Sequence, residues 1–106
     1  MNFGLNDRTI EQLQAVFARY PQVEKAILYG SRAKGNYRKG SDIDLTLCGG
    51  SDLNMTVLYQ IIDEIDDLLL PYIVDLSIYD HIEDPDVLDH IRRVGVLFYS
   101  NEAPKG

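Results

Sequence analysis

Between Ser41 and Cys48 acidic and apolar residues alternate, with Asp42 and Asp44 at one parity and Ile43, Leu45 and Leu47 at the other. A period of two marks an extended strand with one wet face and one buried face, so both carboxylates project from the same side. A rise of about 3.3 Å per residue separates them by roughly 6.6 Å along the strand. At an effective dielectric near 20 they repel by about 2 to 3 kcal/mol. A rigid backbone gains nothing from that spacing unless a cation lies between the two, and a divalent metal with oxygen ligands is the natural candidate. Just upstream lies Gly30-Ser31-Arg32-Ala33-Lys34-Gly35, a basic turn bounded by glycines. Ser31 can cap a short helical turn there, leaving its first amides free for an anion.

The remaining chain reads as helices and strands in alternation. Asn6 or Asp7 can cap a first helix, with Ile10, Leu13, Val16, Phe17 and Tyr20 on one stripe and Pro21 ending it. Val23 to Tyr29 reads as a strand, followed by the basic turn, a polar connector over 36–40 and the acidic strand. A long helix from about Leu53 to Leu70 buries Val57 or Leu58, Ile61, Ile62, Ile65, Leu68 and Leu69, and places Asp63, Glu64, Asp66 and Asp67 on a solvated face. Pro71 stops it. Ile73 to Tyr79 is a third strand, with Val74, Leu76 and Ile78 on one face and Asp75 and Ser77 on the other. Asp84-Pro85 opens a last helix that Gly95 ends, Val96 to Tyr99 is an edge strand, and the tail is frayed. The fold class is α/β: a small, mixed, twisted sheet with helices mainly on one face. One domain over 1–100 and a tail over 101–106 are expected.

Composition narrows the chemistry. With a formal charge of −7, the protein is a poor general binder of nucleic acid. Yet Arg32, Lys34, Arg38 and Lys39 gather four of the ten Lys and Arg into eight residues, enough to hold a small polyphosphate. A single cysteine, Cys48, excludes an internal disulfide, and two histidines far apart give no zinc framework. No signal-peptide run opens the chain and no stretch is long enough to span a bilayer, so a cytoplasmic protein away from membranes is expected. Cys48 reads as an inert thiol, His81 and His90 as surface or helix-end residues, and the tyrosines as packing or rim residues.

Asp75 completes the set if the third strand lies beside the second. Three carboxylates on one rigid sheet face make a site for one or two Mg²⁺ ions, which clamp the attacking and leaving oxygens of a phosphoryl displacement. Amides and hydroxyl at Ser31 would hold terminal phosphates of a nucleotide. These parts suit phosphoryl-type transfer, in which positioning and charge neutralisation do most of the work. The blander alternative is a set of exposed strand carboxylates and an ordinary helix cap.

Gly30-Ser31, ten residues, Asp42-Ile43-Asp44 and a later isolated Asp75 together resemble the nucleotidyltransferase fold shared with DNA polymerase beta. The form Gly-Ser-Arg-Ala-Lys-Gly followed by Ser-Asp-Ile-Asp-Leu is similar to the minimal nucleotidyltransferases, the MNT partners of HEPN proteins in toxin–antitoxin pairs. The resemblance runs from the first helix through Tyr99. It implies that Gly30 and Ser31 bind the triphosphate, with Arg32 in the family's usual arginine position. Asp42 and Asp44 ligate both metals, and Asp75 ligates the catalytic metal and helps deprotonate the acceptor hydroxyl. It further implies ATP as substrate, Mg²⁺ as cofactor, and a tyrosine of a HEPN ribonuclease as acceptor, silenced by the AMP it receives. Larger relatives carry a second, helical domain for base and acceptor; its expected absence here favours a protein partner completing the pocket. The alternatives are an antitoxin that neutralises by binding alone, and transfer to a small molecule or an RNA end.

Overall fold

In a computed structural model that describes residues 2–101, four strands form one mixed sheet in the order β3-β2-β1-β4. The strands are β1 (Lys25–Tyr29), β2 (Ile43–Cys48), β3 (Val74–Ile78) and β4 (Val96–Ser100). The helices are α1 (Asp7–Ala18), α2 (Gly30–Lys34), α3 (Met55–Asp67) and α4 (Pro85–Val94), with a 3₁₀ turn at Tyr79–His81. β1 is antiparallel to β2 and to β4, whereas β2 and β3 are parallel, with α3 in the crossover that a parallel pair requires. The expected α/β class and mixed sheet are thus observed. Residues 102–106 of the expected tail lie outside the described residues; Asn101 donates its amide to Glu24 O at 3.0 Å.

α1, α3 and α4 each begin where a side chain satisfies a loose amide. Asn6 Oδ1 accepts from Thr9 N at 2.8 Å, and Asn54 Oδ1 accepts from Val57 N at 3.1 Å. That second cap starts α3 at Met55, two residues later than its apolar spacing predicts, because Leu53 is buried ahead of the helix. Asp84 Oδ1 accepts from Asp86 N at 2.9 Å, with Pro85 at the first helical position. α3 ends at Asp67, short of the predicted Leu70, where Leu69 turns to φ +54°. Gly95 ends α4 without a left-handed turn; a Cβ there would collide with Ile91 O and lie 2.9 Å from Ile27 Cγ2.

α1 and α3 pack on one face of the sheet. Leu13, Val16 and Phe17 from α1 and Leu58, Ile61 and Ile65 from α3 meet Ala26, Leu28, Ile43, Leu45 and Leu47 from the strands. The alternation in β2 works as the period predicts: all three of its apolar residues are fully buried. α4 reaches the opposite face over β1, where Ile91 is buried. Of the acidic residues on α3, Asp63, Asp66 and Asp67 are exposed, as expected of a solvated face. Glu64 departs from that pattern, accepting from Arg19 Nε at 2.9 Å and tying α3 to α1. Among the described residues, no helix is long and apolar enough to cross a membrane.

Phe17 centres the core. It is fully buried, with ring centroids 6.5 Å from Phe98 and 5.8 Å from Tyr99. Phe17→Ala should cost about 3 to 5 kcal/mol, read as a drop in the urea midpoint with the slope unchanged.

Candidate active site

The parallel register sets Asp44 of β2 directly against Asp75 of β3. Ile43 N donates to Ile73 O at 2.9 Å, so the ladder continues to the residue beside Asp42. Neighbouring strands lie about 4.8 Å apart, and both aspartates share the parity opposite the buried Ile43 and Leu45 and the partly buried Val74. Asp75 and Asp42 are exposed and Asp44 is half-buried. The electrostatic consequence falls on Asp44, whose carboxyl is raised above its ordinary value first by burial, then by the charges of Asp75 and Asp42, with His90 opposing. The geometry therefore brings the three expected carboxylates to one sheet face.

Gly30 occupies its position for two physical reasons. Its φ is +75°, and a Cβ there would collide with Asp44 Oδ2. The backbone of the turn thus touches the carboxylate directly. α2 begins at Gly30, with Tyr29 in the capping position and no side-chain cap. Ser31 is therefore the second residue of the helix rather than its cap, because the strand runs straight into the turn with no residue between. Gly35 closes the turn at φ +88°, donating to Ser31 O at 2.9 Å.

The first amides of this turn were expected to be free for an anion, but that of Gly30 is occupied. Gly30 N donates to His90 Nε2 at 3.0 Å, so that ring nitrogen serves as the acceptor. Tyr29 lies edge-on to the same imidazole, centroid to centroid 6.2 Å. Burial first, and the charges of Asp75 and Asp44, push the Tyr29 phenol upward, so it stays protonated. His90 was expected at the surface. Sixty residues separate it from Gly30, and no local spacing signals that contact; only the placement of α4 creates it. Cys48 is half-buried with its thiol pushed up, chiefly by burial, which keeps it unreactive as expected.

Arg32, grouped by sequence with the nucleotide-binding residues, has another occupation. Its side chain is buried, at 2% exposure. Nη1 donates to Phe3 O at 2.8 Å, while Nε and Nη2 donate to Ser41 O at 3.1 and 2.8 Å. Its guanidinium stacks between Tyr37 and Tyr72, 5.3 and 4.9 Å from their ring centroids. Arg32 was expected among the nucleotide-binding residues; its guanidinium has its donors turned inward to two backbone carbonyls. One of those belongs to Ser41, the neighbour of Asp42.

Oxygen donors in this number and charge suit a hard divalent cation. Among the described residues, no three His, Cys, Asp or Glu side chains already form a metal cage. Mg²⁺ does not demand one: it is ordinarily held by one or two carboxylates plus substrate phosphates and waters. The in-register Asp44 and Asp75 provide that partial shell, with Asp42 adjoining.

Residues 11–103 match the family profile described as Polymerase beta, Nucleotidyltransferase. No curated protein matches the chain. A toxin–antitoxin crystal structure with AMP-PNP contains a chain 19% identical, with a TM-score of 0.67 over 92% of this chain and 76% of its own. The MntA–HepT toxin–antitoxin gives 13% identity and a TM-score of 0.66, over 91% and 74%. A tri-AMPylated Shewanella oneidensis HEPN toxin in complex with its MNT antitoxin gives 17% and 0.60, over 93% and 73%. At these identities the likeness shows a shared fold.

Two outcomes follow from the charge and hydrogen-bond arrangement. Asp44→Asn removes both repulsion and the desolvation of a charge, so it should raise Tm by roughly 2 to 6 °C near neutral pH. The folded protein holds the Asp44 proton more tightly than the unfolded chain does. Wild-type stability should therefore fall as pH rises from the ordinary 3.8 through the raised value, and the gap to the variant should close below 3.8. Thermal melts across pH read this directly. His90→Leu, which strands the Gly30 amide, should cost about 1 to 2 kcal/mol and speed its hydrogen exchange, whereas His90→Gln should largely keep both.

Proposed function

The chain belongs to the polymerase beta nucleotidyltransferase family, and we propose that it is an antitoxin enzyme that moves AMP from ATP to a tyrosine of a HEPN ribonuclease toxin, silencing it. The observation that carries this reading is the register of Asp44 against Asp75, with the Gly30 turn pressed onto Asp44. The likeness to toxin–antitoxin structures, one with AMP-PNP and one with a tri-AMPylated HEPN toxin, supports the substrate and the acceptor.

The chain's own residues divide the work. Gly30 and Ser31 present backbone and hydroxyl to the triphosphate, with the Ser31 and Arg32 amides as donors at the start of α2. Gly30 contributes closeness, since any side chain would separate the turn from Asp44. Asp42, Asp44 and Asp75 would hold Mg²⁺, which when bound neutralises phosphate charge and polarises the α-phosphoryl group. Asp75, exposed on the outer strand, accepts the proton of the acceptor hydroxyl. The tyrosine oxygen bonds to the α-phosphorus as the bond to the bridging oxygen breaks, and pyrophosphate leaves. The Arg32 guanidinium does not reach the nucleotide; it holds Ser41, and so Asp42, in place.

Incubation with the HEPN partner, Mg²⁺ and α-labelled ATP tests the proposal. Wild type should label the partner, and Asp44→Asn and Asp75→Asn should each lower the rate by at least about 10³-fold, as loss of a group acting in the transition state does. Chelation by EDTA should abolish labelling. Equal labelling by wild type and Asp44→Asn overturns the reading. Full neutralisation of the toxin by an Asp42→Asn, Asp44→Asn double variant would instead assign it to binding alone.

A further inference from the structure

The outer strand carries apolar surface that the enzyme's own chemistry does not use. Leu69 is 87% exposed and Ile73 is 69% exposed, far more than core residues of their kind. Leu69 also holds φ +54°, a left-handed conformation that glycine or asparagine normally fills at a helix end. Leucine in that place gains neither burial nor an easy backbone. Between the two lies a cleft of about 310 Å³, walled by Ile65, Leu70, Tyr72 and Val74 and edged by Asp66.

This ledge adjoins the carboxylates. Ile73 is two residues before Asp75, at the same parity, and its carbonyl accepts from Ile43 beside Asp42. β3 is the last strand of the sheet, so a protein that brings a hydroxyl to the exposed Asp75 from the sheet's open side must cross Ile73. Tyr72 belongs to both features, walling the cleft and stacking on Arg32. Among the described residues, the other exposed large apolar side chains are Tyr37, which shares Arg32 with Tyr72, and, farther off, Leu97 on β4 at the opposite edge and Met55 and Tyr59 on the first two turns of α3.

We infer that the Leu69–Ile73 ledge is where the acceptor protein docks, an apolar side chain of the partner entering the cleft with lysines or arginines facing Asp66 and Asp67. Charge argues for this occupant over a second copy of the chain. Asp66 and Asp67 are exposed beside the ledge, and the chain carries −7 overall, so two copies would set like charges together at the rim. The inference rests on the proposed transfer to a protein, but docking is measured separately from chemistry.

Leu69→Gly and Ile73→Thr suit the test, since the first relieves the backbone and the second keeps a β-branched strand residue. In the double variant, calorimetric Kd for the HEPN partner should weaken by about tenfold or more, in keeping with the loss of an apolar anchor. Affinity for AMP-PNP with Mg²⁺ and thermal stability should stay unchanged. Wild-type binding should weaken as salt rises. Where wild type labels the partner, KM for the partner should rise while kcat holds. Partner affinity equal to wild type overturns the inference even if transfer is real. A self-association of the chain alone that the double variant abolishes also overturns it, in favour of a second copy. If wild type binds the partner but transfers nothing, the proposed chemistry fails and the ledge is still decided by the two Kd values.

Discussion

Two like charges held side by side are the constraint from which the architecture follows. Asp44 and Asp75 oppose each other across a parallel ladder, and nothing about chain folding favours that. At about 5 Å and an effective dielectric near 20 such a pair repels by about 3 kcal/mol, a sizeable share of the 5 to 15 kcal/mol that stabilises an ordinary domain. The opposite face offsets it. Every apolar residue of β2 that alternates with the aspartates is fully buried under α1 and α3. The same strand that brings the charges together also inserts the centre of the core. Sliding it by one residue to relieve the repulsion would expose Ile43, Leu45 and Leu47 at once.

Around that strand, long-range contacts hold what local sequence leaves loose. α2 is five residues long and has no side-chain cap of its own; a helix so short is not stable by propensity. His90 from α4 takes its first amide, and Arg32 anchors it to Phe3 and Ser41. The turn is thus fixed from three separate parts of the chain. A polar group carrying several hydrogen bonds while buried restricts the chain to one arrangement, because any shift strands the guanidinium. For a backbone proposed to receive phosphates within a fraction of an ångström, that restriction matters more than net stability.

What could be read from the sequence was what depends on period and on local chemistry. The alternation in β2, the parity of Asp75 and Ser77, the caps at Asn6 and Asp84, and the stripe on α1 all follow from neighbours within a few residues. The order of the strands was only conditional: Asp75 joins Asp44 because β3 lies beside β2, and that adjacency depends on how α3 packs. The contacts of the Arg32 and His90 side chains were not legible for the same reason. A guanidinium in a basic turn looks like a phosphate ligand until Tyr37, Tyr72 and two carbonyls surround it. A histidine four residues before the end of its helix reads as a surface or helix-end residue until a glycine amide sixty positions away points at it.

Strand order also decides who can reach the site. β2 lies inside the sheet, so Asp44 is approached from its open face and half-buried by what surrounds it. β3 has a partner on one side only, so Asp75 is exposed at the rim of the same open face. An enzyme acting on a small molecule would gain from enclosing both carboxylates in a closed pocket. Here the third carboxylate stands at the rim, and the apolar residues next to it are left uncovered. That is the arrangement expected when the remaining wall of the pocket is supplied by the molecule being modified, because a large acceptor cannot enter a cavity but can close one.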